Sequence, residues 1–368
     1  MMKRFFVVIV AVLFFMAVPL YSYSAELEMG ALEVGGGITM VIQSTSGNDG
    51  NIAGEDVTDG SISADLELSS SVGQKGTAFL HLEVGSGEGL QDDEITSFWG
   101  VNDDAGDTQS FTEVSEAWYE HKMSDRTVLT VGKIDLSAYF DTNEVANDET
   151  EQFLATGFVG NVAIEFPDNA LGARLTHSVS DAVDLSVAWQ AANADHEDII
   201  NDSFFIIEGD IKVGVAGKEG NYRVYFWYNS ADHPTLTDPA AEESGWGIGT
   251  SIDQPVTDAI TVFARLGVQD ADIYPFDMAW SLGAGINGRA WGRNDDVIGA
   301  AFGMAMLSDD YENTLANPGD ESHFEAYYRY AINENIAVTP DLQVVMNAEG
   351  DSDFDTVIVA GVRGQFSF

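Results

Sequence analysis

The final stretch of the chain, Asp355 to Phe368, restricts what it can fold into more than any other segment. Ile358, Ala360, Val362, Phe366 and Phe368 fall on one face of an extended strand, and Gly361, Arg363 and Gln365 fall on the other. Alternation with a period of two marks a strand whose faces meet different surroundings. A strand of this length, apolar outside, polar inside and ending on an aromatic, is what closes a transmembrane β-barrel. An open strand edge cannot be left in hydrocarbon, so one such strand demands partners of the same kind all the way round.

Counting those partners from turn signals gives strands near 30–43, 59–70, 76–86, 112–122, 127–135, 171–179, 183–192, 203–215, 221–229, 245–254, 258–268, 277–287, 295–307, 322–332, 336–346 and 355–368. The expected fold class is therefore all-β, a transmembrane antiparallel β-barrel of 16 strands. Tight connections such as Met123 to Arg126, Ser180 to Ala182, Pro255 to Thr257 and Asn333 to Asn335 alternate with long acidic ones such as 87–111, 193–202, 230–244, 308–321 and 347–354. Short periplasmic turns against longer external loops is the outer-membrane pattern, and a β-sandwich has no reason to show it. Pro340 falls inside a strand, where it lacks a ladder donor, so a bulge or a late strand start is expected there. The segment 136–170 breaks the rhythm. Its apolar piece from Val159 to Phe166, taken as a strand, would make the count odd, so the whole segment is assigned to a long external insertion after the fifth strand. With Tyr139, Phe140, Phe153, Leu154 and Phe158 available for packing, it is expected to fold inward and narrow the pore.

Met1 to Ala25 reads as a signal peptide: Lys3 and Arg4, an uncharged run from Phe5 to Leu20, then small residues at Ser22, Ser24 and Ala25. Residues 26–368 form the expected barrel domain. No later stretch reaches the roughly 18 apolar residues of a membrane helix, so any membrane passage is made by strands. The 368 residues include 61 acidic and 15 basic ones, for a formal net charge of -46, which excludes nucleic acid as a partner. Such acidity suits salty surroundings, divalent-cation bridging to lipopolysaccharide, or a pore mouth that favours cations. There is no cysteine, so neither disulfides nor thiolate chemistry enters. No cofactor or metal is implied: the acidic run Asp351 to Asp355 lacks the glycine and distal glutamate of a calcium loop, and the histidines form no zinc motif.

Several stretches carry a resemblance. Trp291 to Ala301, Glu325 to Arg329, Thr339 to Gln343 with Asn347, and Gly361 to Arg363 with the final Phe368 look like the closing strands of the carbohydrate-selective porins of the OprB type. Val131 to Asp135, Tyr139 to Asn143 and Gln152 to Leu154 resemble the same family. The resemblance implies a sixteen-stranded porin that admits sugars, and it implies that Pro340 is a family feature.

A charge facing lipid at mid-bilayer costs about 2–4 kcal/mol for Arg or Lys, so each mid-strand arginine marks the lumen face. Arg174 puts Leu171, Ala173 and Leu175 outside; Arg223 puts Val224 and Phe226 outside with Tyr225 and Trp227 inside; Arg265 leaves Val262, Ala264 and Leu266 outside. Arg329 leaves Tyr328 and Tyr330 outside with Glu325 and Tyr327 inside, and Asp341, Gln343 and Arg363 join them on the last two strands. Two readings of these arginines stay open. They brace the wall through Glu116, Glu120, Glu325 and Asp341, or their planar donors bind vicinal hydroxyls while Trp118, Tyr225, Trp227 and Tyr327 stack on sugar faces.

The expectation is an outer-membrane porin for passive diffusion of small carbohydrates. Its alternatives are a general cation-preferring porin and, outside transport, a secreted acidic calcium-binding β-protein or adhesin. Outer-membrane lipid, lipopolysaccharide and small saccharides are the expected partners, an oligomer is compatible with the sequence, and the barrel-assembly machinery would read Phe368. Deleting Phe368, or making Phe368→Asp, should abolish heat-modifiable barrel in outer-membrane fractions. Normal amounts from the deletion would mean that the chain end is not such a signal.

Overall fold

The structure, a computed structural model, describes residues 30–48, 54–90, 95–106, 109–193 and 201–368. The expected signal peptide lies outside them. Among the described residues sixteen strands follow one another: β1 Glu33–Ser46, β2 Thr58–Val72, β3 Gly76–Ser86, β4 Ser110–Ser124, β5 Thr127–Ile134, β6 Ala170–Ser180, β7 Val183–Ala191, β8 Ser203–Val215, β9 Lys218–Pro234, β10 Glu242–Pro255, β11 Ile260–Gln269, β12 Phe276–Asn287, β13 Val297–Leu307, β14 Glu321–Asn333, β15 Ile336–Met346 and β16 Val357–Ser367. Each pairs antiparallel with its sequence neighbours, and β16 returns to β1 to close the barrel. At the seam Gly37 to Ser46 run opposite Ser367 to Ile358, and the Phe368 N–H donates to the Gly36 carbonyl at 3.0 Å. No strand edge is left open, as hydrocarbon requires.

Alternation sets the faces. On β11, Val262, Ala264, Leu266 and Val268 are exposed while Phe263, Arg265 and Gln269 are buried. On β16, Ile358, Val362 and Phe366 point out and Arg363 points in. A one-residue slip would exchange the two sets, so every arginine on the inner face also fixes register.

Two expectations are corrected here. Pro340 causes neither a bulge nor a late start: β15 begins at Ile336, and Pro340 sits opposite Val362 in an unbroken register with β16. The ladder to β14 lapses opposite Pro340 and Thr339, then resumes in the same register at Tyr330 and Val338. A missing N–H deletes a ladder bond without requiring an extra residue. The strand β9 also runs to Pro234, well past its expected end, because His233 and Pro234 pair with Glu243 and Glu242 beyond an irregularity before Gly245.

The segment between β5 and β6 contributes no spanning strand. It carries one helical turn, α1, Thr156–Val159, and otherwise irregular chain.

Because Leu266 faces outward near the middle of its strand, Leu266→Arg should destabilise the barrel by up to about 2–4 kcal/mol in lipid. Denaturant titration in liposomes reads this directly. A neutral outcome would mean that the outward face of β11 is not a lipid face.

Candidate functional site

The buried face of the wall is rich in charge, and Glu208, Arg265, Glu325 and Arg363 are bonded to the backbone of the segment 135–169. The Arg265 guanidinium, on β11, donates to the carbonyls of Phe158 (2.8 Å), Ala146 (2.7 Å), Asp141 (3.0 Å) and Val159 (3.2 Å), and it is ion-paired with the Asp141 carboxylate at 2.8 Å. Arg363, on β16, donates to the carbonyls of Glu149 and Gln152. Carboxylates complete the scheme by accepting N–H groups. Glu325 takes those of Leu154 (2.6 Å) and Ala155 (3.0 Å), and Glu208 takes that of Asp141 (2.8 Å). Asp141 stands in the left-handed region, with φ 57, a conformation that aspartate tolerates better than most residues.

A second loop joins the first. The β3–β4 connection sends the Val101 carbonyl between two wall glutamines, Gln43 of β1 (2.7 Å) and Gln343 of β15 (2.9 Å). It bonds the segment through Asp103 N–H to the Leu154 carbonyl (2.8 Å) and Gly157 N–H to the Trp99 carbonyl (2.9 Å). Trp99, Phe153, Phe158, Phe263 and Tyr327 pack into one buried cluster between the loops and the wall.

The side chains anticipated from the sequence separate into distinct environments. Arg174 pairs with Glu120 at 3.2 Å and lies over the Tyr139 ring; Arg223 pairs with Asp253 at 2.6 Å. Arg329 reaches Glu151 of the segment at 2.9 Å. Wall bracing through Glu116, Glu325 and Asp341 is therefore corrected. Glu116 accepts from the Trp118 indole and from Asp135 N–H, Glu325 is occupied by the segment, and Asp341 accepts from Gln343. Glu120 alone of the four fulfils the expected pairing.

The aromatic platforms are corrected too. Tyr225 accepts from Asn161 at 2.7 Å, Trp227 donates to the Ala163 carbonyl at 2.9 Å, and Tyr327 meets Phe153 edge-on, so all three are covered by the segment. Trp227 and Tyr225 lie flat over Gly247 and Gly249, where a Cβ would come within 2.5 and 2.4 Å of their atoms. Trp118 is only half-buried, with Phe79 stacked on it at 4.8 Å.

Open space remains against the inner face of β2, β3 and β4. A cavity of about 310 Å³ is lined by Asp65, Glu67, Glu83 and Glu116 from β2, β3 and β4, and by Asp103, Asp104, Asp135 and Glu149 from the loops. Its lining includes one basic ring, His81, bonded to Asp65 at 2.9 Å. Burial pushes the carboxyls of Asp103 and Glu149 above their ordinary range and that of Asp104 up to about 7. In the sequence arginines alone mark the lumen face, so these strand acids are not singled out there. Asp65 with Glu67, and His81 with Glu83, have the same two-residue spacing, and the register sets Asp65 opposite Glu83.

Residues 53–368 match the family described as carbohydrate-selective porin, OprB family. Among solved structures, Pseudomonas putida OprB at high pH aligns with a TM-score of 0.81 over 92% of this chain and 94% of that one, at 18% identity. A triple mutant of Rhodopseudomonas blastica porin aligns at 0.51 over 92% of this chain and 100% of that one, at 14% identity. These likenesses are of fold. Porin B of Pseudomonas aeruginosa is 24% identical over 195 residues, 43% of each protein. An uncharacterised protein of Aquifex aeolicus is 25% identical over 243 residues, 66% of this chain and 65% of that protein, so the chain matches less than two thirds of either relative's length. A family match that runs from residue 53 to the final phenylalanine, on a closed sixteen-stranded barrel, identifies the chain as a member of the carbohydrate-selective porin (OprB) family of outer-membrane proteins.

Proposed function

We propose that this porin is a passive channel for small saccharides, narrowed by the segment 135–169 folded into its barrel. The observation that carries the reading is the spread of wall residues bonded to that segment: Glu208 on β8, Trp227 on β9, Arg265 on β11, Glu325 on β14 and Arg363 on β16. A strip of chain that reaches so many sides of a closed wall crosses its interior. Family membership favours carbohydrate as cargo. A saccharide in the cavity would donate hydrogen bonds from its hydroxyls to the carboxylates, next to Trp118, whose indole is bonded to Glu116 of the lining at 3.0 Å, and Arg174 of β6 is tied to the same strand through Glu120. Passage needs contacts that are weak and multiple, and no catalytic step is involved. Lipid, lipopolysaccharide and, through Phe368, the assembly machinery are the macroscopic partners we assign to it, with oligomerisation compatible.

Saccharide block of single-channel current tests the cargo. Arg363 spends its donors on loop carbonyls, so Arg363→Lys should shift salt and sugar fluxes together. Arg174→Lys and Trp118→Ala should weaken sugar block several-fold with little change in salt conductance, since a charged hydrogen bond is worth about 1.5–3 kcal/mol before water competes for it. Unchanged block in both variants, beside clear block in the parent, would remove these residues from the path. No block of the parent by any saccharide would favour a general porin.

The acidic cavity favours cation preference as a second property of the same channel. A carboxyl raised to about 7 is charged above that pH and neutral below it, so potassium-over-chloride selectivity should fall as pH drops from about 8 to about 6. Reversal potentials measure this. Asp104→Asn should flatten much of the step, and an undiminished step in that variant would assign the titration elsewhere.

A further inference from the structure

Where the segment 135–169 leaves the barrel towards β6, it is fastened to the outer ends of two hairpins by one carboxylate. Glu165 Oε1 lies 2.7 Å from His233 Nε2, on the last residues of β9. Its Oε2 accepts from the Tyr274 hydroxyl at 2.5 Å, on the β11–β12 turn, and from the Asn229 amide at 2.9 Å. The other imidazole nitrogen, His233 Nδ1, lies 2.8 Å from the Ala231 carbonyl.

A carbonyl oxygen can only accept, and Glu165 already accepts from two other groups. Both ring nitrogens of His233 therefore face acceptors, and both must carry protons for the two contacts to be bonds. With one proton fewer, a nitrogen lone pair would point at a carboxylate 2.7 Å away, or at the carbonyl on the other side. The cluster is packed: the Tyr274 ring lies 5.9 Å from the imidazole, and a Cβ on Gly245 would fall 2.2 Å from the Tyr274 hydroxyl oxygen. The groups around the ring are Glu165 from the segment, Tyr274 from the β11–β12 turn, Asp232 beside it on β9, and Glu243 opposite it on β10. These neighbours add no positive charge that would replace the lost proton.

Resting on the reading that the segment crosses the barrel, we infer that His233 is a positioning residue that holds the exit limb of the segment through an extra proton shared with Glu165. With the proton bound, the limb is tied to the rims of β9 and the β11–β12 turn, and the passage is narrow. The sign follows from where the proton sits: the tie is complete at acidic to neutral pH and is lost as pH rises past the imidazole's titration. The limb then keeps Trp227 on the Ala163 carbonyl and Asn161 on Tyr225, so it loosens rather than leaves.

The experiment follows the size cut-off for neutral polyethylene glycols entering the channel in planar bilayers at about pH 6 and about pH 9, values either side of the ordinary imidazole range. Neutral probes make the cut-off insensitive to the charge of the cavity carboxylates. The parent should show a larger cut-off at the higher pH. His233→Gln, which cannot donate at both positions, should give the larger cut-off at both pH values, and His233→Arg, a permanent cation, should give the smaller one at both. A parent cut-off that does not move with pH, or a step that survives in His233→Gln, overturns the inference. Excision of Val145 to Gly160 is the separate control. A folded barrel whose cut-off is unchanged by that excision would overturn the reading that the segment narrows the pore, whatever the pH series shows.

Discussion

Every peptide group of the wall, and every loop peptide group buried against it, has to find its hydrogen bond within the protein, and two different solutions to that demand meet along the inner wall. The wall uses its own ladder, closed at the seam of β1 and β16. The segment 135–169 has no ladder and only a four-residue helical turn, so wall side chains do the same work from outside it. Arginines take its carbonyls and carboxylates take its N–H groups. Arg265 alone accounts for four carbonyls and Glu325 for two N–H groups. Each side of this arrangement makes the other tolerable. A buried guanidinium without partners would cost several kcal/mol, and so would a buried loop with unsatisfied backbone.

That division of labour also decides the charge of what stays open. Arginines on β11 and β16 are turned towards loop backbone, and Arg174 and Arg223 are paired with Glu120 and Asp253. The cavity carboxylates Asp65, Glu67, Glu83 and Glu116 share only the His81 ring among them, and two loops bring four more acids up against them. Crowded carboxylates in a confined space resist ionising together, which is why burial and like charge act in the same direction on Glu149. A strongly acidic chain can thus commit its buried arginines to structure and leave a cavity lined by carboxylates.

The barrel was legible because closure and alternation are local rules. A two-residue period, tight turns alternating with long ones, and the cost of a lipid-facing arginine identify sixteen strands and the inward face of those that carry an arginine without knowledge of any contact. The same rules name Arg265, Trp227 and Tyr225 as inward but are silent on what covers them. Trp227 reads as a free stacking surface until the Ala163 carbonyl is seen at its indole nitrogen. Pro340 shows the opposite failure: the rule about a missing donor was sound, but a closed wall spread the loss over a short lapse in one ladder and kept its register. Asp65, Glu67 and Glu83 carry a readable signal, since their spacing is that of a strand face, but in so acidic a chain carboxylates do not mark the lumen as its scarce arginines do.

What could not be read is the set of contacts that spans the chain. Arg363 and the Gln152 carbonyl are 211 positions apart, Gln343 and the Val101 carbonyl 242, and Gln43 meets that same carbonyl from the first strand. No periodicity carries such information, because the partner is a backbone atom and any residue could supply it. The contacts that fasten the loops to the wall are consequently among the pairings with the greatest sequence separation. It follows that residues of β15 and β16, which read in sequence only as the closing of the barrel, also determine the shape of loops that leave it after β3 and β5.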